Sequence, residues 1–320
     1  MSFPVRVLYI AGSGRSGSTV LARALGGAPG FFDAGELWQI WDRGLLRNEL
    51  CGCGEPFLSC PFWSAVGREA FGGWEGVDAE RMASFKPLLR RVRYLPHYAA
   101  LAGAGVRTPA VGRLLAGLGP ALERLYGAVR EVSGAGVVVD SSKRFAYAAV
   151  LGTLPSVEVY AVHLLRDSRA VAHSWSRSKA RPEAGGSPMP RLGPAKASRM
   201  WSVQNLLQLL LPLSGARAFA RLRYEDFVRD PAPRLRELLQ KLGLEAEPGF
   251  IRGRRLPPPR GHTVSGNPAR FESGAVELRP DEAWRERMPG PDRALVTALT
   301  APLLAGYGYP LGVGRRKGPS

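Results

Sequence analysis

The sequence predicts an α/β protein with a parallel central sheet flanked by helices. Apolar runs rich in β-branched residues alternate with segments of helical spacing, and a glycine-rich loop joins the first run to the first helical segment. A strand that is buried on both faces has a continuous apolar sequence of this kind. Two parallel strands that lie side by side need a crossover connection, which is usually a helix. The length of 320 residues is compatible with two domains at ~150 residues each or with one large domain.

The pattern locates each element. Four buried strands are expected at 5–11, 136–140, 157–165 and 219–224. Helices are expected at 19–25 and 36–46, over most of 78–132, from 168 and 195, at 231–242, and from 281 and 291. We predict a single domain over 1–312, with a helical insertion at about 60–130, a lid-like Pro/Gly loop at about 181–195 and a disordered tail at 313–320.

Composition narrows the function classes. With 45% apolar and 22% charged residues the chain is neither disordered nor collagen-like. The net charge is +17, but only six of the 44 basic residues are lysine, and Ala, Gly and Pro are also frequent. Part of the charge therefore reflects GC-rich coding. The remainder indicates an anionic partner, and by charge alone nucleic acid, a membrane surface and a phosphorylated small molecule all fit.

No segment predicts a membrane span or a signal peptide. The most apolar stretch, 206–213, is far shorter than the ~20 residues that a span needs. The N-terminus runs from a short apolar stretch into the glycine loop and lacks a basic region and a cleavage site. We expect a cytoplasmic protein. Its scattered arginines, without interleaved aromatic residues on one surface, do not predict a nucleic-acid partner.

The most specific local feature is the loop GSGRSGST at residues 12–19. A loop between a strand and a helix points backbone N–H groups and the positive end of the helix at one place, which favours phosphate binding. As a Walker A loop it has Gly12 and Gly17 at the right separation, but Ser18 stands where the phosphate-binding lysine belongs. This disfavours an ATPase or kinase.

Other interpretations of the loop remain. It also fits the glycine pattern of a dinucleotide-binding loop, with Glu36 at about the distance downstream where that pattern places an acidic residue. That acid should end a second apolar strand, but only residues 31–32 before Glu36 are typical of a strand. In a third interpretation it binds a phosphosulfate, with Arg15 as the cation and residues 16–19 as donors. A turn that simply caps a helix is the structural alternative.

A second anion site is expected after the strand at 157–165. Arg166 lies at its carboxyl end, where open α/β sheets bind ligands. Ser174 follows eight residues later, about two turns into the next helix. A guanidinium at the strand end and a hydroxyl on the helix can hold one phosphate together.

Taken together, these motifs resemble the sulfotransferase family, whose cofactor is 3′-phosphoadenosine-5′-phosphosulfate (PAPS). The resemblance rests on RSGST at 15–19, on the Arg166–Ser174 spacing, and on four further stretches in the family's order. These are DAGE at 33–36, VDSSK at 139–143, YEDF at 224–227 and HTVSGNPAR at 262–270. The resemblance covers most of residues 5–310 and implies a P-loop nucleotide-binding-like sulfotransferase fold.

The resemblance also implies roles for single residues. Residues 14–19 would hold the 5′-phosphosulfate, Arg166 and Ser174 the 3′-phosphate, and Asn267 and Arg270 would lie over the 3′-phosphate and adenine. The implied cofactor-binding residues are Gly14, Arg15, Ser16, Gly17, Ser18, Thr19, Arg166, Ser174, Asn267 and Arg270. The implied reaction moves the sulfuryl group of PAPS to an acceptor hydroxyl of a sugar, lipid, peptide tyrosine or natural product. It leaves adenosine 3′,5′-bisphosphate, and no metal is expected.

Sulfuryl transfer should demand positioning and charge stabilisation, as phosphoryl transfer does. We expect Arg15 to neutralise the leaving phosphate and Lys143 or Ser142 to touch the sulfuryl oxygens. Glu36 is the expected general base. Desolvation by Trp38 and Trp41 should raise the pKa of its carboxyl group, and Arg15 nearby should lower it. The alternative is that Glu36 is an acid at a helix N-terminus.

The family's catalytic histidine after the second core strand is missing, since the segment is DSSK at 140–143. His262 is a minor candidate for the base, whereas His163 is expected in the core and His173 in packing or cofactor contact. The rival enzyme interpretation is a nucleotide-dependent kinase with a degenerate P-loop.

Three cysteines, Cys51, Cys53 and Cys60, precede the aromatic segment PFW. A zinc site needs a fourth ligand, and none lies nearby in sequence. A reducing cytoplasm disfavours a disulfide. Free packed thiols are the simplest expectation, with metal binding and pairing left open.

Overall fold

A five-stranded parallel sheet forms the centre of the computed structural model. The structure describes residues 3–90, 94, 96–98, 108–246, 249, 251–259, 261–272 and 274–312, so the predicted tail at 313–320 lies outside the described residues. The strands, in the spatial order β2-β3-β1-β4-β5, are β1 Val5–Gly12, β2 Phe31–Gly35, β3 Val137–Lys143, β4 Val157–Leu165 and β5 Ala218–Arg223. The predicted parallel α/β architecture is confirmed.

Strand β1 lies at the middle of the sheet because its residues tolerate burial on both faces. Val7 is in register with Val138 on one side and Val159 on the other. All of its residues except Arg6 are buried. A strand without solvent on either face keeps a continuous apolar sequence, and this is why the run at 5–11 stands out in the sequence.

Helices cover both faces of the sheet. Their bounds are α1 Ser18–Gly26, α2 Pro61–Phe71, α3 Ala79–Ser84, α4 Lys86–Arg90, α5 Pro109–Ser133, α6 Phe145–Leu151, α7 Ser168–Ser176, α8 Pro194–Gln208, α9 Tyr224–Arg229, α10 Pro231–Leu242, α11 Trp284–Arg287 and α12 Gly290–Gly306. Of the described helices, none is both long enough and apolar enough to cross a membrane.

The two faces carry separate apolar cores. Alternate residues of β1 point to opposite faces of the sheet. Tyr9 and its like-facing neighbours pack with α2, α5 and α6, whereas Leu8 and Ile10 pack with α1 and α10. Helices α7, α8 and α12 meet in smaller apolar clusters beside β4. The predicted insertion at about 60–130 corresponds to α2–α5, interrupted by residues outside the described part.

The sequence interpretation missed strand β2. Only residues 31–32 were expected to have strand character, because Asp33 and Gly35 interrupt the apolar run. In the structure β2 pairs with β3, and the Asp33 carboxylate accepts a hydrogen bond from Gly35 N at 2.9 Å. The expected helix at 36–46 is a 3₁₀ turn over Leu37–Gln39 followed by a π-helical turn over Ile40–Leu46.

The strand order bears on the dinucleotide interpretation of the glycine loop. The argument against it from missing strand material was wrong, because Glu36 directly follows β2. However, the dinucleotide fold places its second strand beside the first. Here β3 lies between β1 and β2, so the acid sits one strand further from the loop. The topology therefore disfavours a dinucleotide site.

Candidate active site

A cavity of about 500 Å³ opens at the carboxyl ends of the five strands. Each strand leads into a residue of its wall: Gly12, Glu36, Lys143, Arg166 and Tyr224. This is the edge at which open parallel sheets bind ligands. The predicted site residues that line the cavity are Gly14, Arg15, Gly17, Ser18, Thr19, Glu36, Ser142, Lys143, Arg166, Ser174 and Asn267.

The backbone of the glycine loop takes a conformation that needs glycine. Gly17 caps α1 with φ 93°, and an added Cβ there would lie 2.3 Å from two ring carbons of Tyr224. Arg15 has φ 69°, a left-handed conformation that costs a non-glycine residue about 1–3 kcal/mol. Ser18 and Thr19 at the start of α1 line the cavity, at the end of the helix where backbone N–H groups lack intrahelical partners. A strained loop ending in a helix N-terminus is an anion cradle.

Arg15 carries unused hydrogen-bond donors. Its Nε and Nη1 atoms are buried and have no hydrogen-bond partner, while Nη2 lies 3.0 Å from Met189 Sδ. The guanidinium lies over the Trp175 ring, 4.9 Å from its centroid. Burial lowers the pKa of Arg15 below its usual value. A buried guanidinium with unpaired N–H groups is expected to take up an anionic oxygen.

Arg166 forms a second cationic position in the same cavity. Its Nη1 donates to the Arg15 carbonyl at 3.0 Å, and its Nη2 to Asp281 Oδ2 at 2.8 Å. The guanidinium lies over the Tyr224 ring, 4.6 Å from the centroid. Ser174 on α7 lines the cavity with it, as the spacing predicts. Asp281 occupies a guanidinium edge that a phosphate would otherwise use.

Glu36 and Lys143 form an ion pair in the cavity wall, with Oε1 and Nζ 2.5 Å apart. Burial alone would raise the pKa of Glu36, but the charge and hydrogen bond of Lys143, helped by nearby arginines, outweigh burial and lower it. The carboxylate is therefore ionised at neutral pH, as a proton acceptor must be. The expectation that Arg15 is the cation lowering this pKa is wrong, since Lys143 has that position.

Asp140 fixes the position of the Ser142 side chain by a hydrogen bond and does not itself line the cavity. The Ser142 hydroxyl donates to Asp140 Oδ1 at 2.5 Å and accepts from Trp38 N at 3.1 Å. Tyr126 donates a second hydrogen bond to the Asp140 carboxylate. Burial raises the pKa of Asp140 to about 6, although these hydrogen bonds oppose the shift. Asp140 therefore fixes the end of β3.

Two predicted cofactor residues lie behind the wall. Ser16 is buried, and its hydroxyl has no hydrogen-bond partner. Arg270 donates to the carbonyls of Thr263 at 2.6 Å and Leu50 at 2.7 Å, so its guanidinium holds its own loop in place. Asn267 of that loop touches the glycine loop, because its N–H donates to Thr19 Oγ1 at 3.3 Å. Direct cofactor contact by Ser16 and Arg270 stays a prediction.

The cavity is strongly positive. Among the described residues, seven basic side chains and two acidic ones line it. The basic residues are Arg15, Arg43, Arg90, Lys143, Arg144, Arg166 and Lys179, and the acidic ones are Glu36 and Asp281. Low-dielectric walls concentrate such a field and favour an anionic ligand.

Several lining residues were not predicted from the sequence. Gln204 on α8 accepts a hydrogen bond from Gly14 N at 3.2 Å. Trp175 follows Ser174 directly in sequence, which was the one weak signal for it. Asp281 gave none, since it lies 115 residues from the arginine that it contacts. Of the aromatic residues from Trp38 to Trp74, only Trp38 lines the cavity, and the others pack in the core or against it.

The histidines lie away from the chemistry. His163 is buried in β4 and bonds Asn205 Oδ1 at 2.9 Å, as a core histidine should, and burial lowers its pKa to about 4. His173 does not line the cavity. His262, the minor base candidate, lies beside the three cysteines outside the cavity. Its assignment as a base is not supported by this placement.

Comparison with solved structures finds sulfotransferase domains that are similar to this chain. The sulfotransferase domain of the olefin synthase of Synechococcus PCC 7002 is 19% identical, with a TM-score of 0.51 and 98% of each chain covered. The sulfotransferase STF9 from Mycobacterium avium is 14% identical, with a TM-score of 0.46, 98% of this chain and 79% of that chain covered. The sequence matches no protein-family model and no curated protein. The first likeness confirms the predicted sulfotransferase fold.

Proposed function

We propose that this protein is a sulfotransferase that moves the sulfuryl group of PAPS to an acceptor hydroxyl. The observation that carries the proposal is Arg15: a buried guanidinium with two unpaired nitrogens, at the strand–helix loop of a sulfotransferase-like fold. Unsatisfied buried donors cost free energy unless a ligand meets them. An anion with several oxygens is the ligand that meets a guanidinium best.

The donor set fits a nucleotide with phosphates at both ends. The glycine loop and Arg15 offer one anion position, and Arg166 with Ser174 offers another in the same cavity. The volume of about 500 Å³ is within the ~300–1,000 Å³ usual for small-molecule sites. Trp175 and Tyr224 give the wall aromatic surface, on which a base can stack.

PAPS supplies an electrophilic sulfur and a phosphate leaving group. Arg15 and the N–H groups at the start of α1 would stabilise the negative charge that develops on that phosphate. The Glu36 carboxylate would take the proton of the acceptor hydroxyl, while the hydroxyl oxygen forms its bond to sulfur and the bond between sulfur and the phosphate oxygen breaks. Lys143 keeps the Glu36 carboxylate ionised beforehand and orients it. Once protonated, Glu36 releases Lys143, whose ammonium is then free to bind a sulfuryl oxygen.

The kinase alternative finds less support in the cavity. The lysine expected after Gly17 is replaced by Ser18. Both acidic residues of the described cavity wall are ion-paired, Glu36 with Lys143 and Asp281 with Arg166. Neither carboxylate is free to hold the Mg²⁺ that accompanies ATP. The acceptor class, the cytoplasmic location and independence from metal stay predictions.

Calorimetric titration tests the proposal. We expect the unmodified protein to bind adenosine 3′,5′-bisphosphate with micromolar affinity, and ATP–Mg²⁺ and NAD far more weakly. Arg15→Ala and Arg166→Ala should each remove most of this binding. The matched control is Arg217→Ala, an exposed arginine paired with Glu158 outside the cavity, which should bind like the unmodified protein. Preferential binding of ATP–Mg²⁺ or NAD would contradict the proposal.

Turnover distinguishes an enzyme from a protein that only binds the nucleotide. PAPS is supplied with a sugar, a lipid, a tyrosine peptide or a phenolic natural product, and release of the bisphosphate is followed for each. Acceptor-dependent release that disappears in Arg15→Ala supports the enzyme. Tight bisphosphate binding without release in any arm indicates a binding protein or an acceptor outside these four classes.

A further inference from the structure

All three cysteines of the chain meet one histidine outside the cavity. Cys51, Cys53, Cys60 and His262 place their Sγ and imidazole nitrogen atoms within 4.8 Å of one another. The loop at 51–54 and the residue before α2 supply the thiols, while the histidine comes from a segment about 200 residues later. The fourth ligand that the local sequence lacks is therefore supplied by the fold.

The spacing within the cluster is close to that of a tetrahedral metal site. Cys51 and Cys60 have their sulfurs 3.6 Å apart, and Cys53 and Cys60 have theirs 3.7 Å apart. His262 Nδ1 lies 3.1 Å from Cys60 Sγ and 3.8 Å from Cys51 Sγ. With Zn–S about 2.3 Å and Zn–N about 2.0 Å, tetrahedral ligands are roughly 3.5–3.8 Å apart. Three of the four distances match this spacing, the fourth is shorter, and all donors lie within 4.8 Å of one another, so small shifts would bring the four donors around one zinc ion.

Two of the three sulfurs accept hydrogen bonds from backbone N–H groups. The backbone N–H of Cys53 bonds the Cys51 sulfur, and that of Trp63 bonds the Cys60 sulfur. Cys60 is also the N-cap of the eleven-residue helix α2, where the helix dipole favours negative charge. The amide donors and the helix N-terminus therefore place partial positive charge beside these two sulfurs.

The histidine ring is held in its position. The Phe62 ring stacks on the imidazole of His262, with centroids 5.0 Å apart and planes at 8°. Cys51 and Cys60 are buried, Cys53 is exposed and His262 is partly buried. The site is therefore shielded on one side and reachable by a metal ion from the other.

We propose that Cys51, Cys53, Cys60 and His262 bind one structural zinc ion. Three thiolates and one imidazole fill a tetrahedral shell, which leaves no position for a substrate or a reactive water. Thiolate-rich tetrahedral sites favour zinc among the available divalent cations. The site lies outside the nucleotide cavity, so its existence does not depend on the proposed transfer reaction.

The zinc would join two parts of the chain that meet beside β2. Gly52 N donates to the Thr263 carbonyl at 3.0 Å, and Val264 bridges to β2 through hydrogen bonds with Ala34 and Glu36. The same segment then reaches the glycine loop through Asn267. A metal bound at its start fixes the position of the whole segment from His262 to Arg270. The zinc thereby acts as a positioning element for one wall of the cavity.

Metal content is the first test. The protein is purified under reducing conditions without chelator, desalted, and analysed by native mass spectrometry and elemental analysis. We expect one zinc per chain, retained on dilution. Cys60→Ser and His262→Gln should lose it, while the control His97→Gln, which changes a histidine outside the cluster, should keep it. Protein without metal, or with iron in place of zinc, would overturn the proposal.

Cobalt substitution tests the geometry. Cys53 is exposed, so Cys53→Ser should fold even where a buried substitution fails. Cobalt(II) in the unmodified protein should give the intense visible bands of tetrahedral coordination and a thiolate charge-transfer band. In Cys53→Ser the charge-transfer band should weaken in proportion to the lost thiolate. Weak octahedral-type bands in the unmodified protein indicate adventitious metal and overturn the site.

Thiol titration distinguishes zinc from its two alternatives. Because no other cysteine exists in the chain, every thiol that reacts belongs to the cluster. With zinc bound, the three thiols should react slowly until a chelator is added, and zinc should be released as they react. Three thiols that react at once without releasing zinc indicate a free cluster. Two thiols that react only after reduction indicate a disulfide. Either of these results refutes the zinc site.

Discussion

Replacing Arg15 by glycine should weaken ligand binding without weakening the fold. This residue has φ 69° and two buried nitrogens without partners. Glycine adopts a positive φ freely, which relieves about 1–2 kcal/mol of strain. Removing an unsatisfied buried donor recovers about 1–3 kcal/mol. Both effects favour the variant.

Opposing effects are of similar size. The contact between Arg15 and the Trp175 ring is worth about 0.5–2 kcal/mol, and a glycine costs about 0.5–1 kcal/mol of additional chain entropy. The free energy of unfolding of Arg15→Gly should therefore lie between about 1 kcal/mol below and about 4 kcal/mol above that of the unmodified protein, so no large loss of stability is expected. Bisphosphate binding should lose about 2–5 kcal/mol, because a charge-assisted contact in a desolvated site disappears. This corresponds to a loss of affinity of about 30-fold to several thousandfold.

Arg169→Ala provides the contrasting variant. Arg169 is also an arginine near the end of β4, but it is fully paired: its Nη2 lies 2.7 Å from Asp167 Oδ2 and 2.9 Å from the Pro310 carbonyl. Truncating one partner of such a buried pair should cost about 3–5 kcal/mol of stability. Urea denaturation of both variants, with calorimetric titration of the bisphosphate, gives the comparison. If Arg15→Gly loses as much stability as Arg169→Ala, Arg15 is a structural residue and the argument for an anion site fails.

Two further substitutions test the paired carboxylates of the cavity. The pKa of Glu36 is lowered from its ordinary 4.5, so its contribution to stability is present above pH 4.5 and is lost as the pH falls through the lowered value. Urea denaturation gives the difference in unfolding free energy between the unmodified protein and Glu36→Gln. This difference should shrink only below pH 4.5. A difference that is constant with pH would exclude the ion pair with Lys143 as its source. Asp281→Asn should tighten bisphosphate binding in calorimetry about 2- to 10-fold, because it removes a carboxylate that competes for Arg166. The control is Asp292→Asn, which changes a partly buried aspartate outside the cavity wall. Weaker binding in Asp281→Asn would mean that Asp281 helps to hold the ligand.

The parts of the fold that the sequence predicted are those with strong local patterns. The strand at 157–165 and the helix at 231–242 agree with the structure residue for residue. The first is a continuous apolar run, and the second an amphipathic segment closed by Gly243 in a left-handed conformation. Strand β2 was not predicted, because its conformation depends on pairing with β3 rather than on its own composition.

The site residues divide in the same way, into those with a local sequence signal and those without one. Glycine-loop residues and Arg166 were predicted because their positions relative to a strand end fix where their side chains lie. The pairing of Glu36 with Lys143 was not predicted, since it depends on the register between β2 and β3, which local sequence does not encode. His262 lies 202 residues from Cys60 and joins it only through tertiary structure. Ligands from distant segments leave no spacing pattern to find.

The basic residues of the cavity differ in whether a carboxylate already pairs with them, and this difference affects which anions can bind. Arg166 and Lys143 each face a carboxylate, whereas Arg15 has none within hydrogen-bond reach among the described residues. An incoming anion therefore meets Arg15 without competition, but must displace Asp281 to use Arg166. A ligand with one phosphate gains only the first contact. A ligand with phosphates at both ends also gains the second, and its additional charge repays the displacement of the carboxylate. We therefore expect the two cation positions to favour a nucleotide with phosphates at both ends over one with a single phosphate, by a margin that the Asp281 carboxylate reduces.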